Sequence, residues 1–315
     1  HLKAAEWYLN TDPVLHAEHL HMANDPQAAG AYLRAASAEM AKYRYQQAIG
    51  LLEKGKSLAR QTCDLVELAL TLGEAQHDVG DLVNAHAAFA EALEVADDDT
   101  ARCRAWLGLA GGKRITDDLD GALADLGSAE AAARKLGLAG EQSRIHYLRG
   151  NIAFPRADTE TCLREHGAAL DFARKAGSAA LEAAALGGLA DAEYLRGRYR
   201  TASDRFAECV EISREHGFGR IHVANLPMLA FTLKWCGEVE RALDVGLEAI
   251  ELAQRVGHGR GELIGRNVAF ECYRFQGQIG SAREHAERGL ALVHQLGAER
   301  FEPMILLYFA ELEYI

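Results

Sequence analysis

Glycine occupies positions 137, 177, 217, 257 and 297, forty residues apart each time. The residues ahead of it are alike: ARKLG ends at 137, ARKAG at 177, SREHG at 217 and AQRVG at 257. A period of this length marks a repeat architecture, in which one supersecondary unit stacks on copies of itself. A second glycine series at 197, 237 and 277 has the same period, and alanine follows five residues later at 202, 242 and 282. Traced towards the start, the matching small residues are Cys162, Ala122, Ala85 and Ala48. The spacing is therefore 37 for the first two intervals and 40 thereafter.

Each unit predicts two helices. An apolar-periodic helix of about 15 residues comes first. A turn with Gly or Asp follows, as in VGDL at 79–82 and TDDLD at 116–120, and then a second amphipathic helix. The glycines at 137 to 297 fall just past that second helix. Glycine enters the left-handed conformation without steric cost and so ends a helix. Basic residues such as Arg134, Lys135, Arg174 and Arg255 precede it, where they suit the negative end of the helix dipole. The small residue early in each second helix lets two helices approach closely. The chain has only five prolines, which fits a helical array.

Composition narrows the function classes. With 49% apolar and 25% charged residues the chain reads as folded and globular. Its net charge of −12 repels phosphate backbones, so no nucleic-acid partner is expected. Six cysteines are scattered with no CxxC pair, which predicts reduced, buried thiols and a cytoplasmic location. No apolar run reaches the length of a membrane span and no signal peptide is visible, so no membrane partner is expected. The chain starts at His1 rather than Met, and we expect a piece of a longer protein.

These units resemble the tetratricopeptide repeat. The residues that carry the resemblance are Leu72-Gly73…Ala85…Phe89…Ala92, Trp106…Leu109-Ala110…Ala122…Leu126…Ala129, Leu189-Ala190…Ala202…Phe206…Cys209 and Leu229-Ala230…Ala242…Gly246…Ala249. The resemblance spans 28–315. It departs from the family in its period, 40 rather than 34, and in lacking the late proline. The unit around 143–177 matches least, with Arg149-Gly150 and His166 at apolar positions. The fold implied is all-α: a right-handed superhelical solenoid of about seven to eight antiparallel helix hairpins. The units run near 28–64, 65–101, 102–139, 140–179, 180–219, 220–259 and 260–299, with a lone helix at 302–315. Residues 1–27 form a helical lead-in. HLKAAEWYLN and DPVLHAEHLHMANDP look like the segment leading into the repeat region of large signal-transducing ATPase regulators, such as the maltose-regulon activator family, and of ATPase-containing nucleotide cyclases. In those families the repeats sense an inducer or a partner protein, and the nucleotide chemistry would lie before His1.

Catalytic and metal constellations are weak. His16, His19 and His21 lack further ligands of the kind zinc needs, so no metal site is expected. GHGRG at 257–261 joins two helices and reads as a turn, not a phosphate loop. No nucleophile signature appears, so neither catalysis nor a cofactor is expected. The repeat family's concave groove is lined by the first helices. Transferring its positions here gives Glu74, His77, Arg104, Arg114, Tyr147, Asn151, Phe154, Asp191, Tyr194, Phe231, Lys234, Asn267, Glu271 and Arg274. Tyr and Arg are common binding anchors. A protein or peptide partner, or a small-molecule inducer, is the expected occupant; the alternative is a passive scaffold that self-associates through 302–315. NIAFPRAD at 151–158 stands apart, because Pro155 ends a first helix where other units have no proline. That predicts either a bend or a binding site.

Overall fold

A computed structural model describes residues 1–298 and 301–313. Its helices are α1 (Leu2–Tyr8), α2 (Pro13–Met22), α3 (Ala28–Met40), α4 (Tyr45–Leu58), α5 (Thr62–Asp78), α6 (Leu82–Val95), α7 (Asp99–Ile115), α8 (Leu119–Leu136) and α9 (Ala139–Ala153). After a 3₁₀ turn (Phe154–Arg156) come α10 (Thr159–Lys175), α11 (Ala179–Leu195), α12 (Tyr199–Glu215), α13 (Gly219–Trp235), α14 (Val239–Val256), α15 (Gly259–Phe275), α16 (Ile279–Leu296) and α17 (Glu302–Glu313). There is no strand among the described residues, and the fold is an all-α helical-repeat array. No helix is long and apolar enough to cross a membrane.

The chain forms two compact units, His1–Ile152 and Ala153–Ile315. The division falls at the end of α9, inside the expected unit 140–179. In unit 1 the hairpins are α3–α4, α5–α6 and α7–α8, followed by α9. The lead-in residues 1–27 form α1 and α2, and Ala5, Ala17 and Leu20 share a core with Tyr32, Leu52 and Leu68. In unit 2, α10 is followed by the hairpins α11–α12, α13–α14 and α15–α16, and then α17.

The small residues do what their spacing predicts. Ala48, Ala85, Ala122, Cys162, Ala202, Ala242 and Ala282 are all buried. The glycines past the second helices, 137, 177, 217, 257 and 297, are all left-handed. The turn inside each hairpin is left-handed too, and not only where glycine stands. Tyr43 (φ 61°), Asp117 (φ 64°) and Ala157 (φ 55°) take the place held by Gly80, Gly197, Gly237 and Gly277. Aspartate caps α6, α8 and α10: Asp81 accepts from the Asn84 amide, Asp118 from Gly121 and Asp158 from Thr161. The corresponding Arg198, Glu238 and Gln278 make no such bond.

One sequence feature departs from expectation, and packing accounts for two others. Cys63 is exposed, so not every thiol is buried, although all six are free. His166, at an apolar position, is fully buried against Gly188, where a Cβ would come 2.3 Å from its ring. Burial lowers its pKa to about 4, against the opposing pull of Glu165, so the imidazole is neutral. Pro227 lies inside α13. It cannot donate to the carbonyl four residues back, and that carbonyl, of Val223, sits beside Gly261 of α15. The missing side chain at Gly261 lets α13 and α15 approach there.

Candidate functional site

In unit 1, α5, α7 and α9 carry matching positions in register: Glu67, Arg104 and Arg144; Leu70, Leu107 and Tyr147; Glu74, Gly111 and Asn151. A cavity of about 360 Å³ opens on this face. It is lined by Glu74, His77, Asp78, Arg104, Arg144 and Tyr147, with Met40, Phe89, Leu107, Leu148, Gly108 and Gly111 forming its apolar part. Four expected residues, Glu74, His77, Arg104 and Tyr147, are therefore brought together. Asn151 and Arg114 lie outside that lining. The Nε of Arg114 is buried with no hydrogen-bond partner among the described residues.

Arg104 is held from both sides of its fork. Its Nη1 donates to both Glu67 oxygens, at 2.8 and 2.9 Å, and its Nη2 lies 3.7 Å from Glu74. Burial works against its charge, but the two carboxylates win and raise its pKa. His77 Nδ1 lies 3.8 Å from Asp78. Arg144 is exposed and makes no ion pair among the described residues. Sequence reasoning missed it, although it stands forty residues after Arg104 in the same register.

In unit 2 the expected residues fall into two sets. Tyr194 and Phe231 meet edge to face at 5.8 Å. Tyr199 stacks on Trp235 at 5.6 Å, extending the aromatic group to a tryptophan that is half exposed. Asp191, half-buried one turn before Tyr194, has its carboxyl pushed up to about 7 by burial, against the pull of Arg260. Tyr194 and Phe231 are half-buried against the unit 2 core, and the exposed edge of the set is Trp235.

The second set is used internally. Lys234 is buried, pairs with Glu271 at 2.6 Å and lies 4.5 Å from the Phe231 ring centre. Tyr308 of α17 donates to Glu271 at 3.3 Å and stacks on Phe270 at 4.0 Å. Asn267 donates to the Met304 sulfur at 3.0 Å. Arg274 lies 3.4 Å from Glu311 and over Phe275. Lys234, Asn267, Glu271 and Arg274 thus join successive helices α13, α15 and α17. Phe154 sits on the 3₁₀ turn and packs with Leu163 against Ala153, Cys162 and Ala192.

No group of three or more His, Cys, Asp or Glu side chains that could hold a metal is found among the described residues. His16 is buried and donates to the Ala5 carbonyl at 2.9 Å. In GHGRG, His258 accepts from the Gly261 amide at 3.0 Å and caps α15, so the stretch is a turn.

No protein-family profile and no curated protein sequence matches this chain. Solved structures do match, at low identity. A Rap protein complexed with Competence and Sporulation Factor is 15% identical with a TM-score of 0.59, covering 92% of this chain and 99% of that one. A signal-transduction ATPase with numerous domains and a tetratricopeptide-repeat sensor, from Pyrococcus horikoshii, is 14% identical with a TM-score of 0.65. That match covers 93% of this chain but 47% of the other. The hetero-tetramer Cut9–Hcn1 gives 15% identity, a TM-score of 0.60 and coverage of 86% and 50%. The fold is therefore that of a tetratricopeptide-repeat array. In particular, it resembles the repeat region of the archaeal signal-transduction ATPase.

Proposed function

We propose that this chain is a non-catalytic interaction and sensing module of a larger cytoplasmic regulator, and that it holds a peptide or protein segment on the face of its first helices. The observation that carries the reading is the unit 1 cavity, where charges of both signs and the Tyr147 ring surround an apolar floor. The aromatic set at Tyr194 and Phe231 supports a second contact area in unit 2. The Rap protein solved with Competence and Sporulation Factor supports a peptide occupant, and the archaeal ATPase supports a sensing role. A small-molecule inducer is the other occupant such a site accommodates.

Affinity capture tests this. The wild-type chain is compared with an Arg144→Glu/Tyr147→Ala variant and a Tyr194→Ala/Phe231→Ala variant, each checked for native helix content. A partner retained by the wild type and lost by either variant is the expected result. Identical capture by all three would remove the first-helix face from the account. The rival reading, a self-associating scaffold, rests on α17, whose Leu306 and Leu307 are exposed. It predicts a mass that rises with protein concentration and falls back in Leu306→Glu.

A further inference from the structure

The unit 1 cavity is hollow because α7 lacks side chains where its neighbours have them. Position 111 corresponds to Glu74 on α5 and Asn151 on α9, and position 108 to Thr71 and Leu148. The two glycines differ. A Cβ at Gly108 would come 2.4 Å from the Phe89 ring, so packing requires that glycine. A Cβ at Gly111 would meet only His77 Nε2, at 3.7 Å, which is ordinary contact. Its backbone is helical, where glycine is less favourable than alanine. Neither packing nor conformation calls for glycine at 111, and the space it leaves opens into the cavity.

Most of the charged groups around that space already face a partner. Arg104 is held by two carboxylates, Glu67 and Glu74. His77 and Asp78 lie against each other. Arg144 lines the same cavity and has no ion-pair partner among the described residues. Arg144 is thus the one guanidinium of the lining that no carboxylate among the described residues holds, and it stands beside a hollow walled by Met40, Leu107 and Leu148. A guanidinium binds carboxylate or phosphate through paired N–H donors. A phosphate carries nearly two charges, and Glu74 and Asp78 on the same cavity wall would repel it. A single negative charge fits better.

We propose that this cavity is a specificity pocket for a ligand residue that joins an apolar side chain to a carboxylate, the side chain filling the space over Gly111 and the carboxylate pairing with Arg144. This rests on the reading of the first-helix face as the binding face, and it adds what that face selects.

The test is a ligand-observed NMR titration of the whole chain with three probes: N-acetyl-L-phenylalanine, its primary amide, and N-acetylglycine. The acid with the aromatic side chain is expected to bind in the millimolar range. The amide, lacking the charge, and N-acetylglycine, lacking the side chain, should each bind about tenfold more weakly or worse. Arg144→Gln should abolish the preference for acid over amide, and Arg144→Lys should keep part of it. Gly111→Leu should lose the phenylalanine probe, while Gly111→Ala unfolds no earlier than wild type. Absence of probe binding, equal binding of acid and amide, or an unchanged Gly111→Leu would each overturn the proposal. Should Gly111→Leu fail to fold, the exposed Arg144 variants decide the matter. If the probes fail while Tyr147→Ala still abolishes partner capture, the pocket falls and the binding face stands. If capture is unaffected as well, both fall.

Discussion

Two helix-interior glycines show how much a single residue's meaning depends on its neighbour. A Cβ at Gly188 would strike the His166 ring, whereas one at Gly111 would make only an ordinary contact with His77. Gly188→Ala is expected to destabilise by about 1–3 kcal/mol through overpacking, despite alanine's better helix propensity. Gly111→Ala should gain up to about 1 kcal/mol; denaturant titration of both variants checks the contrast. Asp191 supplies a test by pH. Its carboxyl is raised from 3.8 to about 7, first by burial. The folded state therefore keeps a proton that the unfolded chain releases, and stability is lost as pH rises through that window. Asp191→Asn should raise the melting temperature more at pH 8 than at pH 4. A sequence cannot reveal either effect, because both depend on what the fold sets opposite the residue. His166 reads as a break in the pattern until Gly188 is seen against it.

At the scale of the hairpin, much was legible. The period, the two-helix unit, the left-handed glycine stops and the buried small residues follow from spacing alone. The inner turn was legible where Gly or Asp marks it, as at VGDL and TDDLD. Tyr43 and Ala157 adopt the same positive φ as Asp117, and their identities give no hint of it. The left-handed region costs a non-glycine residue about 1–2 kcal/mol. Ala157→Gly is therefore expected to stabilise the chain by about 1 kcal/mol, and Gly197→Ala to weaken it by a similar amount, both measured by denaturant midpoint. A substitution to glycine that stabilises is unusual enough to be diagnostic of this turn. The second-helix caps offer a parallel test. Gln278 stands where Asp81, Asp118 and Asp158 cap their helices, and Gln278→Asp should add about 1 kcal/mol. The groove positions were legible to a lesser degree. Register placed Arg104 and Tyr147 on one face, yet it could not tell that Lys234 and Glu271 pair with each other, since their partners lie one helix further on.

For the whole molecule, the proposed function draws on the first helices of each unit. In unit 1 their face carries a hollow and a free guanidinium; in unit 2 half of it is committed to joining α13, α15 and α17. The two units therefore have different roles in the proposed function, with selection of a ligand residue in the first. Under that reading a partner docks on first helices and not on second ones. The most direct measurement is hydrogen exchange followed by mass spectrometry, with and without the captured partner. Docking on the first helices predicts slowed exchange in α5, α7 and α9 and little change in α4, α6 and α8. Protection confined to the second helices, with α5, α7 and α9 unchanged, would contradict it.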